Sequence, residues 1–113
     1  GRLETGATVT WDFADFPGAF PVYVIEVVPD ERIVLEWKAN EKDAAEFYNT
    51  TVTMNFKAVD GGRTLVEIAE EGWHDTPAGL EASFGNCMGW SQMVAALKMW
   101  VEHGINMREG MYK

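Results

Sequence analysis

The chain has little positive charge. Nine Lys and Arg stand against eighteen Asp and Glu, a net charge of −9 over 113 residues. The basic side chains form no stripe or cluster that would displace counterions from phosphates, which excludes a nucleic-acid module. An acidic membrane surface would repel the same chain. No apolar run nears the ~20 residues of a membrane span, and the opening residues do not read as a charged-then-apolar leader. The expected compartment is therefore the cytoplasm. Cys87 is the only cysteine, so no internal disulfide forms and the fold stands on its core alone.

Catalytic and metal motifs are equally scarce. His74 and His103 lie far apart and outside any HxxxH or HExxH arrangement, and one thiol adds no zinc ligand set. Neither GxGxxG nor a P-loop occurs, and Gly61-Gly62 reads as a hairpin connection rather than a phosphate cradle. Gly89-Trp90-Ser91-Gln92-Met93 matches the nucleophile elbow only at its first and third positions, and Ser91 falls on the polar face of a helix. Cys87 reads as a small core residue on the apolar stripe of that helix rather than as a nucleophile. No catalytic residue, metal or cofactor is expected.

What the chain does have is bulk. Five Trp, three Tyr, six Phe and six Met accompany a globular balance of 47% hydrophobic and 24% charged residues. Two readings follow: a small domain filling its core with large side chains, or a pocket lined by aromatic and thioether groups.

The first two-thirds alternates with a period of two, the mark of half-buried strands. Val9, Trp11 and Phe13 share one face of Ala7–Asp15, and Asp15–Pro21 reads as a loop around Pro17-Gly18. Val22–Val28 and Arg32–Lys38 form a hairpin about Pro29-Asp30-Glu31, with Ile33, Leu35 and Trp37 on one face. Which face of the first of these strands points inward stays open: Tyr23 and Ile25, or Val22 and Val24. Asn40–Asn49 reads as a loop with room for a short helical turn. Thr50–Val59 and Thr64–Glu71 form the clearest hairpin, joined by Asp60-Gly61-Gly62. Val52, Met54, Phe56 and Ala58 share a face, as do Val66, Ile68 and Glu70. Glu70 therefore either points inward or sits at the sheet's rim in water. His74-Asp75 reads as loop surface.

The period then becomes helical. Thr76-Pro77 supplies a hydroxyl N-cap and a proline at the first helical position, and His103-Gly104 supplies the last turn and its cap. The expected buried stripe is Leu80, Phe84, Cys87/Met88, Trp90, Met93/Val94, Leu97 and Trp100/Val101. Ser91, Ala95, Lys98 and Glu102 lie opposite. Gly85 and Gly89 each cost about 1 kcal/mol against alanine, which puts the start of the regular helix nearer Asn86. The tail after Ile105 carries no strong signal. The expected fold is α+β: one domain over residues 1–113, a curved antiparallel sheet of about five strands packed on one long C-terminal helix.

The ordered set Val27-Val28-Pro29-Asp30-Glu31-Arg32-Ile33-Val34-Leu35-Glu36-Trp37, Asp60-Gly61-Gly62-Arg63-Thr64, Glu71-Gly72-Trp73 and Gly89-Trp90 with Leu97 resembles the SRPBCC superfamily. Within it the resemblance is to the activator of Hsp90 ATPase homolog 1-like branch. It covers essentially the whole chain, and Gly-Trp on the final helix is its most specific element. It implies a helix-grip fold, a sheet wrapped around a long helix with an apolar cavity between them. Members bind lipids, sterols or other apolar molecules, a few are cyclases or hydrolases, and the eukaryotic namesake assists a chaperone. The family domain opens with a strand and two short helices ahead of the glycine-arginine strand that Gly1-Arg2-Leu3 resembles. Without them a sheet edge and an apolar groove are left open. Two expectations follow: a second copy covers the gap in a homodimer or larger oligomer, or a truncated domain closes in a changed form.

The resulting expectation is a non-catalytic binder of a small apolar or aromatic ligand between sheet and helix. Its walls are Trp11, Phe13, Tyr23, Ile25, Trp37, Met54, Phe56, Met93, Leu97 and Trp100, with Glu70 and Trp73 near the mouth. The rival readings are a protein-binding or chaperone-assisting domain, and last an enzyme using Glu70 and His74.

Overall fold

The computed structural model describes residues 1–112. Its strands are β1 (Thr8–Phe13), β2 (Phe16–Val28), β3 (Arg32–Lys38), β4 (Asn49–Val59) and β5 (Arg63–Glu71), followed by the helix α1 (Pro77–His103). The strands form one open antiparallel sheet in chain order, so every connection is a hairpin and β1 and β5 are its edges. This is the α+β arrangement the alternation predicts.

The connections follow from local chemistry. Asp30 takes φ 63 in the β2–β3 turn, a left-handed position that Asp tolerates. Between β4 and β5 the Asp60–Gly62 turn is a single 3₁₀ turn that needs φ 76 at Gly61. The loop from Ala39 to Tyr48 holds turns and bends and no helical turn. The expected loop over Asp15–Pro21 is instead the start of β2, because Phe16 pairs with Phe13 across a two-residue turn. Proline is tolerated there because β3 pairs with β2 only from Tyr23 onward, leaving Pro17 and Pro21 in an edge stretch.

The core lies on one face of the sheet. Val22, Val24, Leu35 and Val52 are fully buried, and Trp11, Phe20, Ile33, Trp37, Met54, Ile68 and Trp90 pack around them. Each of the four buried aliphatic side chains contributes about 1.5–3 kcal/mol of burial. Tyr23 and Ile25 project from the opposite face and are exposed, which corrects their placement in a ligand wall. Both alternate with the buried Val22 and Val24, and a bulge between Val24 and Glu26 then shifts the residues that follow. It returns Val27 to the core face and turns Glu26 outward, where its carboxylate accepts a 2.6 Å charged hydrogen bond from Arg32.

α1 crosses this face. The Thr76 hydroxyl accepts the Gly79 N–H at 3.0 Å and Pro77 takes the first helical position. Gly104 ends the helix at φ 66, its N–H donating to the last-turn carbonyls. The helix is continuous from Pro77, so Gly85 and Gly89 do not delay its start; both have open space where a Cβ would stand. The expected buried stripe is corrected in its first half and at its end. Leu80, Phe84 and Met88 are exposed, as are Cys87, Trp100 and Val101. The inward side runs through Gly79, Asn86, Trp90, Met93, Ala96 and Leu97. Both sides of the helix are apolar, so periodicity cannot choose between them; hydrogen bonding does.

Candidate functional site

That choice is made by Glu70. A cross-strand row of paired residues runs Val24, Leu35, Val52, Glu70, so the carboxylate continues the buried row onto the edge strand and points at the helix. It accepts hydrogen bonds from four side chains. Trp37 Nε1–H donates at 3.0 Å, the Thr50 hydroxyl at 2.6 Å, Trp90 Nε1–H at 2.8 Å, and the Asn86 amide at 3.0 and 3.2 Å to the two oxygens. Asn86 and Trp90 are one helical turn apart, so together they fix the azimuth of α1 on the sheet. The Trp37 and Trp90 indoles stack at 5.4 Å and 23°, closing an apolar lid over the carboxylate.

This geometry decides what Glu70 can do. Its roughly four lone-pair directions are taken by neutral donors within the fold. It is a clamp between β5 and α1 rather than a rim carboxylate in water. His74 belongs to a separate cluster. Its ring stacks on Tyr48 at 3.6 Å, its backbone N–H donates to the Tyr48 hydroxyl at 3.2 Å, and its Nδ1 lies 3.6 Å from Glu41. The Glu41 side chain is 5% exposed and accepts a 3.2 Å hydrogen bond from the Tyr48 hydroxyl. No residue is shared between the partners of Glu70 and those of His74, so the paired acid and base of the enzyme reading are not brought together.

Two depressions flank the clamp. Toward the start of α1, Trp73, His74, Asp75, Thr76, Pro77, Leu80 and Ser83 border an open hollow of about 450 Å³. Toward its end, Met93, Ala96, Leu97 and Trp100 line an apolar groove of about 360 Å³ whose rim carries Asn106 and Arg108. Arg108 joins this groove to the sheet. Its guanidinium pairs with Asp15 at 2.9 Å and lies 5.7 Å from the Phe13 and Tyr112 rings. Phe13 is part of an edge-to-face cluster with Trp11, Phe20 and Trp37, ring centroids 5.6–6.5 Å apart.

The expected site residues thus separate. Met93, Leu97 and Trp100 line the groove, and Trp11, Phe13 and Trp37 form the aromatic cluster beside it. Met54 and Phe56 are half-buried on the inner face of β4 and line neither depression. Trp73 borders the far hollow. Sequence reasoning missed Asn86 as a carboxylate partner, Phe20 as a member of the cluster, and Arg108 as a rim residue. A lone arginine beyond the helix cap was the available signal for the last of these.

The resolved charge effects lie outside the site. The hydrogen bond from Lys98 holds the Glu102 carboxyl below its ordinary range, and the hydrogen bond to Glu26 raises Arg32. Among the described residues no three His, Cys, Asp or Glu are placed to hold a metal, and no helix is long and apolar enough to cross a membrane.

The family model described as activator of Hsp90 ATPase homolog 1-like protein matches residues 2–102. No curated protein matches the chain. The match spans the whole sheet and nearly all of α1, and it agrees with a sheet gripping one long C-terminal helix. The chain belongs to the activator of Hsp90 ATPase homolog 1-like family, of the SRPBCC type.

Proposed function

We propose that the domain binds a small apolar or aromatic ligand, without catalysis, in the groove between the C-terminal half of α1 and the tail at Asn106 and Arg108. One observation carries the reading: Met93, Ala96, Leu97 and Trp100 line an open apolar groove of about 360 Å³, and Trp100 is 61% exposed. A volume of that order falls within the ~300–1,000 Å³ of small-molecule sites. Displacing water from apolar walls contributes about 25 cal/mol per Å² buried, so apolar contact rather than charge pairing would drive binding. Arg108 and Asn106 at the rim suit a ligand with one polar or anionic end.

Titration with the fluorescent probe ANS tests the reading. Saturable uptake, weakened about fivefold or more in Trp100→Ala and unchanged in Phe84→Ser, supports it. No saturable uptake, or equal uptake by Trp100→Ala, overturns it. A second reading, a protein-interaction domain, draws on the uncovered outer side of α1; with a net charge of −9, capture of a basic partner would weaken with salt.

A further inference from the structure

The outer side of α1 has a pattern of its own. Leu80, Phe84 and Met88 follow one another at i, i+4 and i+8 and are 55%, 64% and 63% exposed. The same side continues through Ser91 and Ala95 to Lys98 and Glu102. Its first half is therefore large and apolar, and its second half is small and then charged. Such a surface is complementary to itself when reversed. An axis between Gly89 and Trp90, at the helix midpoint, would set Phe84 opposite Ala95, Met88 opposite Ser91, and Glu81 opposite Lys98.

We infer that this face pairs with α1 of a second copy, antiparallel, about a two-fold axis. Along the seam Phe84 and Met88 meet the small Ala95 and Ser91, and Leu80 meets Met99 at its end. The Ser91 hydroxyl already donates to the Cys87 carbonyl at 2.9 Å, so burying it strands no donor. Lys98 bonds Glu102 at 2.8 Å and is free to share its charge with a facing Glu81. Charge also favours this face over the rest of the surface. α1 carries Glu81, Lys98 and Glu102, a net of −1, which leaves −9 − (−1) = −8 on the remaining chain. A basic partner would find stronger attraction elsewhere. Leu80, Phe84, Met88 and the residues that face them bury on the order of 800–1,000 Å² in total, the low end for a specific interface. The pairing is therefore reversible, with a dissociation constant of roughly tens of micromolar. It leaves the groove of Met93, Leu97 and Trp100 free and stands independently of the ligand reading.

Cys87, the chain's one thiol, is exposed beside this face and reports on the geometry. In the proposed pair the two Cys87 Cα atoms are about 11–12 Å apart, from five residues of helical rise and a typical interaxial distance. Sedimentation equilibrium from 1 to 300 µM is combined with cross-linking by a short bis-maleimide. A monomer–dimer equilibrium, a Cys87–Cys87 cross-link and loss of both in Phe84→Glu are expected, with circular dichroism showing the variant folded. Glu81→Lys and Lys98→Glu should each weaken the dimer about two- to fivefold, and the double exchange should restore it. A monomer at 300 µM overturns the proposal. So does a dimer that Phe84→Glu leaves intact, which would place the contact at a sheet edge or over the groove.

Discussion

The Glu70 carboxylate at the end of β5 accepts a 2.8 Å hydrogen bond from the indole N–H of Trp90 at the middle of α1. Asn86 holds the same carboxylate from one turn earlier, and Trp37 and Thr50 hold it from the sheet. The helix is docked by one acceptor and four donors, with the apolar contacts arranged around them. Removing the acceptor leaves several part-buried donors without a partner, and each such group costs about 1–3 kcal/mol.

Glu70→Gln therefore destabilises the domain by roughly 2–3 kcal/mol, because its amide N–H₂ faces donors where an oxygen stood. Trp90→Phe, which keeps most of the stack but loses one donor, costs about 1–2 kcal/mol, packing included. Urea unfolding followed by circular dichroism measures both. A Gln variant as stable as the parent would show that the carboxylate is not the clamp.

The glycines of α1 divide by their surroundings. Gly85 has open space at its Cβ position, so Gly85→Ala raises stability by about 0.5–1 kcal/mol through helix propensity. Gly79 is different. An added methyl would collide with the His74 carbonyl and stand 3.0 Å from the Glu41 carboxylate, so Gly79→Ala destabilises despite the better propensity. Thermal melts of the two variants should move in opposite directions.

The tail is held to the first hairpin by Arg108–Asp15 at 2.9 Å and by Phe16 against Tyr112 at 4.9 Å. The ion pair is about one-third exposed, so Arg108→Ala changes global stability by no more than about 1 kcal/mol. Its effect is local. Hydrogen exchange over residues 105–112 should quicken while exchange in β2–β4 stays the same.

Lys98 donates to Glu102 and lowers the pKa of that carboxyl. A depressed carboxylate adds stability above its unfolded pKa and loses it as pH falls through the folded value. Both groups are exposed, so the signature is the titration itself: Lys98→Ala moves the Glu102 midpoint back up, read from its side-chain carboxyl resonance.

Most of the sheet was legible because alternation writes a half-buried strand directly into Thr8–Phe13 and Asn49–Val59. The inward position of Glu70 was legible as parity with Val66 and Ile68, and as no more than parity, since its four partners come from three other elements. The bulge that returned Val27 to the core face and turned Glu26 outward left no local mark. Leu80, Phe84 and Met88 misled for a different reason. They are as apolar as Met93 and Leu97, and the helix azimuth is set by Asn86 and Trp90 reaching a carboxylate sixteen and twenty residues earlier. The groove drew on Arg108, whose partner Asp15 lies at the other end of the chain.

Amide and indole chemical-shift mapping during an ANS titration tests the groove most directly. Binding there predicts saturating shifts at Met93, Leu97, Trp100 and Arg108, including the Trp100 indole N–H, with Tyr23 and Ile25 unmoved. Shifts confined to Leu80, Phe84 and Met88, or none at saturating probe, would contradict a ligand site between α1 and the tail.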